Sequence, residues 1–265
     1  MITGRFLMQE TPTIEPKEFG SLLLDMAIML LRAGASGRRI RNTVSQIAVA
    51  YQYAHYIDLG PKSISITLLN KQGDPAFNGT RSTLAYGVDF KIISAVHRLA
   101  EAVQLKPRGL TELKKELLRL QKLPVYPRLL VLFAVSLGGA AFCYTFGGKI
   151  SAMCVTFTAT FLGLFVRQEL QKRSVNPYVT TYISALVAAL FTGGLYVAGV
   201  GMKLENAYVT CALFLIPGVP LINSIIDLMD GNILYGLERG VSAMMHAFAI
   251  AFGLSTALLI YINPS

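Results

Sequence analysis

From Leu129 onward the chain runs as a series of apolar stretches, each near the about 20 residues that a helix needs to cross a bilayer, joined by short connections. No other feature limits the fold as strongly. Backbone in hydrocarbon must satisfy its own hydrogen bonds, which leaves helices or closed barrels, and continuous apolar runs without strand alternation select helices. Five spans are predicted, at about 129–146, 150–166, 177–200, 207–229 and 241–262. The chain is 53% hydrophobic and 15% charged, against roughly 25% charged residues in a soluble domain. Its charge lies mainly ahead of the spans. Up to Arg128 there are 18 Lys/Arg and 10 Asp/Glu, a net of +8; beyond it there are 6 and 5, a net of +1. The expected division is a basic domain over 1–127 and a five-span domain over 128–265.

The first part reads as a small α/β domain. Apolar positions from Phe19 to Leu31 recur at helical spacing until Gly34, and Ser36 can cap a second helix carrying Ile40, Val44 and Ile47. "SISITLLN" then alternates Ser63, Ser65 and Thr67 with Ile64, Ile66 and Leu68, the pattern of a strand with one buried face. A third helix carries Phe90, Ile93, Val96, Ala100 and Val103. Residues 111–122, "TELKKELLRLQK", form a basic amphipathic helix suited either to its own domain or to an anionic lipid surface. The opening 25 residues hold no signal-peptide pattern, so the N-terminus is expected in the cytoplasm. Arg167, Lys172, Arg173 and Arg239 then fall in inner loops, Lys149 and Lys203 in outer ones, and the C-terminus outside. Trp is absent, which leaves an interfacial belt to Tyr126, Tyr144, Tyr178, Tyr208 and Tyr261. The fold class is therefore an α-helical membrane protein of the cytoplasmic membrane, with five transmembrane spans and an N-terminal cytoplasmic α/β domain.

The fourth span is unusual. "IPGVPLINSIIDLMDGN" holds Pro217, Gly218 and Pro220, and then Asn223, Asp227 and Asp230. Two prolines interrupt regular helix, and irregular backbone at membrane depth survives only where protein or water satisfies it. Discontinuous helices of this kind build transporter sites. Asn223, Asp227 and Asp230 recur at spacings of four and three, so they share a face. An intramembrane carboxylate costs at least about 2.5 kcal/mol on insertion scales, which makes Asp227 and its neighbours candidates for substrate or ion binding. Asp230, before Gly231, also suits a helix end. Thr180 and Thr181 in the third span and His246 in the fifth are weaker candidates, because membrane hydroxyls often bond their own backbone.

Other classes fit less well. Cys143, Cys154 and Cys211 lie in apolar runs without ligand spacing, so no metal site is expected. "GASGR" resembles a nucleophile elbow, but Arg38 stands where the closing glycine belongs, so a membrane-anchored hydrolase is the lesser alternative. Arg38, Arg39 and Arg41 do not indicate nucleic acid, because cytoplasmic membrane domains are basic in any case. A scaffold subunit without transport activity is the remaining alternative, and it would not need a broken polar span.

Three stretches carry a family resemblance: "LLRAGASGRRIRNTVSQIA", "TRSTLAYGVDFKIISAVHRL" and above all "LIPGVPLINSIIDLMDGNILYGLERGV". Over roughly residues 18–260 the chain resembles the threonine/serine exporter family. It is similar to the short first subunit of the split systems, which include a proposed succinate exporter. The resemblance implies efflux of small hydrophilic metabolites, either dicarboxylates or threonine and serine, driven by ion gradients, without a cofactor. It also implies a second small membrane subunit; alone, the chain is expected to form homo-oligomers that bury the same faces. On matching positions it points to Pro217, Gly218, Pro220, Asn223, Asp227 and Gly231, to the segment from Gly34 to Arg41, and to Thr80 and Arg81. Arg38, Arg39, Arg41 and Arg81 are expected at a cytoplasmic mouth.

Overall fold

The computed structural model describes residues 15–60, 63–70, 72–82, 87–107, 109–124, 126–199 and 205–262. The first 14 residues, Lys203 and the extreme C-terminus, on which part of the orientation reading rests, lie outside the described residues. The chain forms two compact units: residues 1–124 with 219–240, and residues 125–218 with 241–265.

In the first unit, α1 (Pro16–Arg32) and α2 (Gly37–Ala50) are followed by β1 (Ala54–Leu59), β2 (Ser63–Leu69) and β3 (Pro75–Ser82), then α3 (Phe90–Leu105) and α4 (Leu110–Gln121). The strands form an antiparallel sheet in the order β1-β2-β3, with Ile57 opposite Ile66 and Ile66 opposite Gly79. Ile64, Ile66 and Leu68 are wholly buried beneath α1 and its core residues Phe19, Leu23, Met26 and Leu30. Each such side chain contributes about 1.5–3 kcal/mol on leaving water. β1 was not expected: "AHYIDL" lacks clean apolar alternation, since it is an edge strand largely open to solvent. Leu113 and Leu117 of α4 are buried in this same core, so the apolar side of the basic helix packs within its own unit.

The second unit holds α5 (Arg128–Thr145), α6 (Ile150–Lys172), α7 (Pro177–Val197) and α8 (Glu205–Thr210), then a short 3-10 turn at Leu213–Leu215. α9 (Gly218–Met229) belongs almost entirely to the first unit, and α10 (Ile233–Ile262) contributes its first two turns there and the rest to the second. Four helices, α5, α6, α7 and α10, are long and apolar enough to cross a membrane, and the broken pair Glu205–Leu215 and Gly218–Met229 makes a fifth if counted as one span. Small residues bring these helices together. A side chain at Gly163 would meet Phe214 at 2.9 Å, and one at Gly253 would meet Ala185 at 2.8 Å. Hydroxyls of Ser136, Thr156, Thr158, Ser184, Thr192 and Thr256 bond carbonyls one turn back in their own helices. Leu129, Phe133, Leu137, Phe142, Phe248 and Phe252 are exposed on the outside, as lipid-facing residues are.

Several details differ from expectation. Arg167 lies inside α6 and Arg239 inside α10; of the four cations assigned to inner loops, only Lys172 and Arg173 close a helix. Tyr208 and Tyr261 turn inward, donating to the carbonyls of Leu254 and Leu190 at 2.6 Å each, and do not form a belt. Cys154 is exposed, unlike Cys143 and Cys211.

Candidate functional site

Two helix corners within the first unit build the site. α1 ends at Arg32; Gly34 takes φ +79°, its N–H donates to Leu31 O, and the Ala35 N–H reaches back to Leu30 O. This is a Schellman corner, and the left-handed residue favours glycine. Ser36 then caps α2, accepting from the Arg39 backbone at 3.4 Å. The Ser36 hydroxyl of "GASGR" thus serves as a helix cap. The second corner repeats the first: Gly231 has φ +79°, donates to Leu228 O, and the Asn232 N–H reaches Asp227 O before α10 begins. Both turns place short loops and helix N-termini side by side.

The polar residues predicted on one face of the fourth span all meet the first corner. Asn223 Nδ2 donates to Gly34 O at 2.8 Å. The Gly37 N–H, at the positive start of α2, donates to Asp227 Oδ1 at 2.7 Å. Arg38 Nε donates to Asp230 Oδ2 at 2.8 Å, and its Nη2 pairs with the other oxygen. Arg41 Nη1 donates to Asn232 Oδ1 at 2.5 Å, while Asn232 Nδ2 is buried without a hydrogen-bond partner among the described residues. The Arg38 bond holds the Asp230 carboxyl below its usual value, and the carboxylate raises Arg38 in return.

Sequence reasoning missed the residue that completes this arrangement. Arg239 Nη1 donates to Asp227 Oδ2 at 3.1 Å and Nη2 to Ala35 O at 2.9 Å, and its guanidinium lies 4.5 Å from the Tyr235 ring centroid. Asp227 has no exposure and Arg239 only 8%. No proline or turn cluster separates Ile233 from Arg239, a signal that the cation belongs to a helix. Each Asp227 oxygen accepts one of these bonds, and the carboxylate is closed off from solvent.

Other candidates stand apart. Arg39 is exposed, and its side chain has no partner among the described residues. Arg81 on β3 pairs with Asp25 at 3.2 Å and Ser21 at 3.0 Å, along a groove of about 620 Å³ lined also by Arg32 and Asp89. Pro217 follows the extended Ile216, whose ψ is 124°, and this is where the helix breaks. Pro220 differs from expectation: it is the third residue of α9, where its missing N–H would have lacked an intrahelical partner anyway. In the second unit, Thr181 Oγ1 lies 2.9 Å from His246 Nδ1, and the Tyr178 ring centroid 4.8 Å from that of His246. Thr180 is buried, and its hydroxyl has no partner among the described residues. His97 is half exposed beside Glu101 at 3.5 Å. No group of residues able to hold a metal ion occurs among the described residues.

Four long apolar helices packed through small residues, with a bent helix pair that counts as one more span if taken together, define a multi-pass helical membrane protein. The family described as "Putative threonine/serine exporter" matches residues 21–261, and the chain belongs to that family. It is 25% identical over 248 residues to "Probable succinate transporter subunit YjjP" of Klebsiella aerogenes, covering 93% of this chain and 95% of that protein. To the protein of the same name from Escherichia coli strain K12 it is 27% identical over 244 residues, covering 91% and 93%. No solved structure matches the chain significantly. The family is one of transporters, not of enzymes.

Proposed function

We propose that this chain is one subunit of a secondary-active exporter that moves small hydrophilic metabolites out across the cytoplasmic membrane. The supporting observation is the near full-length likeness to two proteins named as succinate transporter subunits, together with family membership over residues 21–261. A subunit has a partner, and a second small membrane protein of the same family covers the exposed apolar faces of the spans in this reading. The substrate is a dicarboxylate such as succinate, or threonine or serine. The basic unit faces the cytoplasm and the C-terminus the outside, with the exposed cations of α4 and the α2 start drawing anionic solutes and lipid toward the entrance.

In the same reading the corner around Asp227 is the moving contact of export. Closed, it holds Asp227 between the α2 N-terminus and Arg239. Open, it frees a carboxylate and the Gly34 and Ala35 carbonyls for an ion or a substrate ammonium. The test is efflux from cells with and without this gene, loaded in turn with succinate, threonine and serine. Loss of efflux for one of these on deletion, restored by the intact gene, supports the reading. Equal efflux of all three in both strains overturns it.

A further inference from the structure

Two carboxylates, Asp227 of α9 and Asp230 just after it, are seated on donors from other elements of the first unit. Asp227 lies between the Gly37 N–H at 2.7 Å and Arg239 Nη1 at 3.1 Å. Asp230, whose own N–H still bonds Ile226 O, accepts from Arg38 at both oxygens, with Nε at 2.8 Å. The two seats differ in cover. Asp227 and Arg239 are buried, whereas Arg38 is exposed and reaches across the rim. Residues three apart on a helix stand about 5–6 Å from one another at Cβ, so the corner holds two negative charges a short distance apart on one face.

These seats contain one donor more than the two carboxylates fill. Arg41 donates to Asn232 Oδ1 at 2.5 Å, and because a guanidinium only donates, this bond fixes which way the amide points. Asn232 Nδ2 is then a donor, buried and without a hydrogen-bond partner among the described residues. A Cβ at Gly37 would stand 3.4 Å from that nitrogen and 2.9 Å from Asp227 Oδ1, so the spare donor borders the Asp227 seat. A buried donor left unpaired is costly, and one further acceptor here would satisfy it. The donors belong to α2, α10 and the turn before α10, while both seated carboxylates come with α9.

We infer that Gly37, Arg38 and Arg239 form a binding site for a small dicarboxylate, and that Asp227 and Asp230 occupy it in the ligand's place in this conformation. The inference rests on the exporter reading and chooses among its substrates. The occupants define what the site takes: one carboxylate buried between a backbone donor and a guanidinium, and a second gripped by both arms of an exposed guanidinium. Succinate brings the same two groups and the same charge in one molecule. Threonine or serine fills one seat and turns its ammonium toward guanidiniums, which repel it. Exchange requires α9 to withdraw, and the helix is interrupted at both of its ends, by the extended Ile216 before Pro217 and by the left-handed Gly231. Tethered in the same chain, the two aspartates compete with the ligand at high effective concentration.

The test is calorimetric titration of the full chain with its second subunit, in nanodiscs of zwitterionic lipid, using succinate, threonine, serine and the uncharged dimethyl succinate. Asp230→Asn removes the outer competitor and keeps its shape, so succinate should bind about tenfold more tightly than to the wild type, the scale of a charge-assisted pair. Arg38→Gln should bind succinate about tenfold more weakly for the same reason. The double variant should show no gain over Arg38→Gln alone, because the competitor acts through Arg38. Threonine and serine should gain much less in Asp230→Asn, and the diester should not bind. No gain for succinate in Asp230→Asn, or unchanged succinate affinity in Arg38→Gln, overturns the site. A gain that survives in the Arg38→Gln background marks a general charge effect, and an equal gain for threonine marks a site for a single carboxylate; either outcome overturns it as well. Failure of both the wild type and Asp230→Asn to bind succinate, threonine or serine removes the exporter reading too, whereas wild-type binding without the predicted gain removes this inference alone.

Discussion

The two units treat the charges on their helices in opposite ways. In the first, Asp227 is wholly covered, but the α2 N-terminus and Arg239 satisfy both of its oxygens, and Arg239 in turn bonds Ala35 O. In the second, Arg167 keeps partial exposure and has no partner among the described residues. A satisfied buried pair holds a conformation in place. A partly exposed cation without a protein partner stays open to water or lipid headgroups instead. The carboxylate that looked most like a ligand group in the sequence is thus the better locked of the two, and a cation read as loop charge is the more available.

The largest effect should come from breaking the locked pair. Asp227→Asn or Arg239→Gln alone strands a buried charge or donor, and about 3–5 kcal/mol of stability is lost when one partner of such a pair is removed. The double variant should recover part of that loss. Thermal melting of the three proteins checks this, and Asp227→Asn should also abolish coupled export. If Asp227→Asn melts as wild type and exports normally, the corner does not lock the unit.

Gly37→Ala should have a smaller effect. Its Cβ would stand 2.9 Å from Asp227 Oδ1 and 3.0 Å from Leu59 Cδ1, so the carboxylate must retreat from the α2 N-terminus. Overpacking of this kind costs about 1–3 kcal/mol. Hydrogen exchange at the start of α2 should report it; unaltered protection there would mean that Asp227 is not held by this contact.

Acid should act on the rim of the corner more weakly still. Arg38 depresses the Asp230 pKa below its ordinary 3.8. The contribution of this pair is therefore fully present above about that value and is lost as the pH falls through the lower folded value. The melting difference between wild type and Asp230→Asn should be constant near neutrality and shrink in that acid window. A difference that grows with acid would contradict the assignment.

Pro220→Ala should change least. At the third position of α9 the proline lacks an N–H that the helix does not use, so stability should move by no more than about 0.5 kcal/mol. Pro217→Ala, at the break itself, should alter turnover more. Equal effects of the two on efflux would show that the first turn of α9 matters as much as the break.

Local chemistry made much of this fold legible. Gly34 and Ser36 mark a stop and a cap that need only neighbouring residues, and the alternation from Ser63 to Leu68 displays one buried face. β1 was hidden because polar His55 stands on its more covered side and Tyr56 on its exposed one, which blurs in sequence an alternation that its burial follows. The corner was only half legible. The spacing of Asn223, Asp227 and Asp230 announces a common face, but its partners lie about 190 residues away, and nothing in a linear pattern joins Gly37 to Asp227. Arg239 and Arg167 were misplaced for one reason: a charge near the end of an apolar run reads as a loop, although a helix can carry it inward when a partner or a path awaits it.

The most direct test is ion-gradient-driven efflux of succinate, threonine and serine from proteoliposomes containing this chain alone, its second subunit alone, or both. Efflux of at least one of the three by the pair, with none by either subunit singly, is the predicted result. Robust efflux by this chain alone, or no movement of any of the three by the pair, would contradict it.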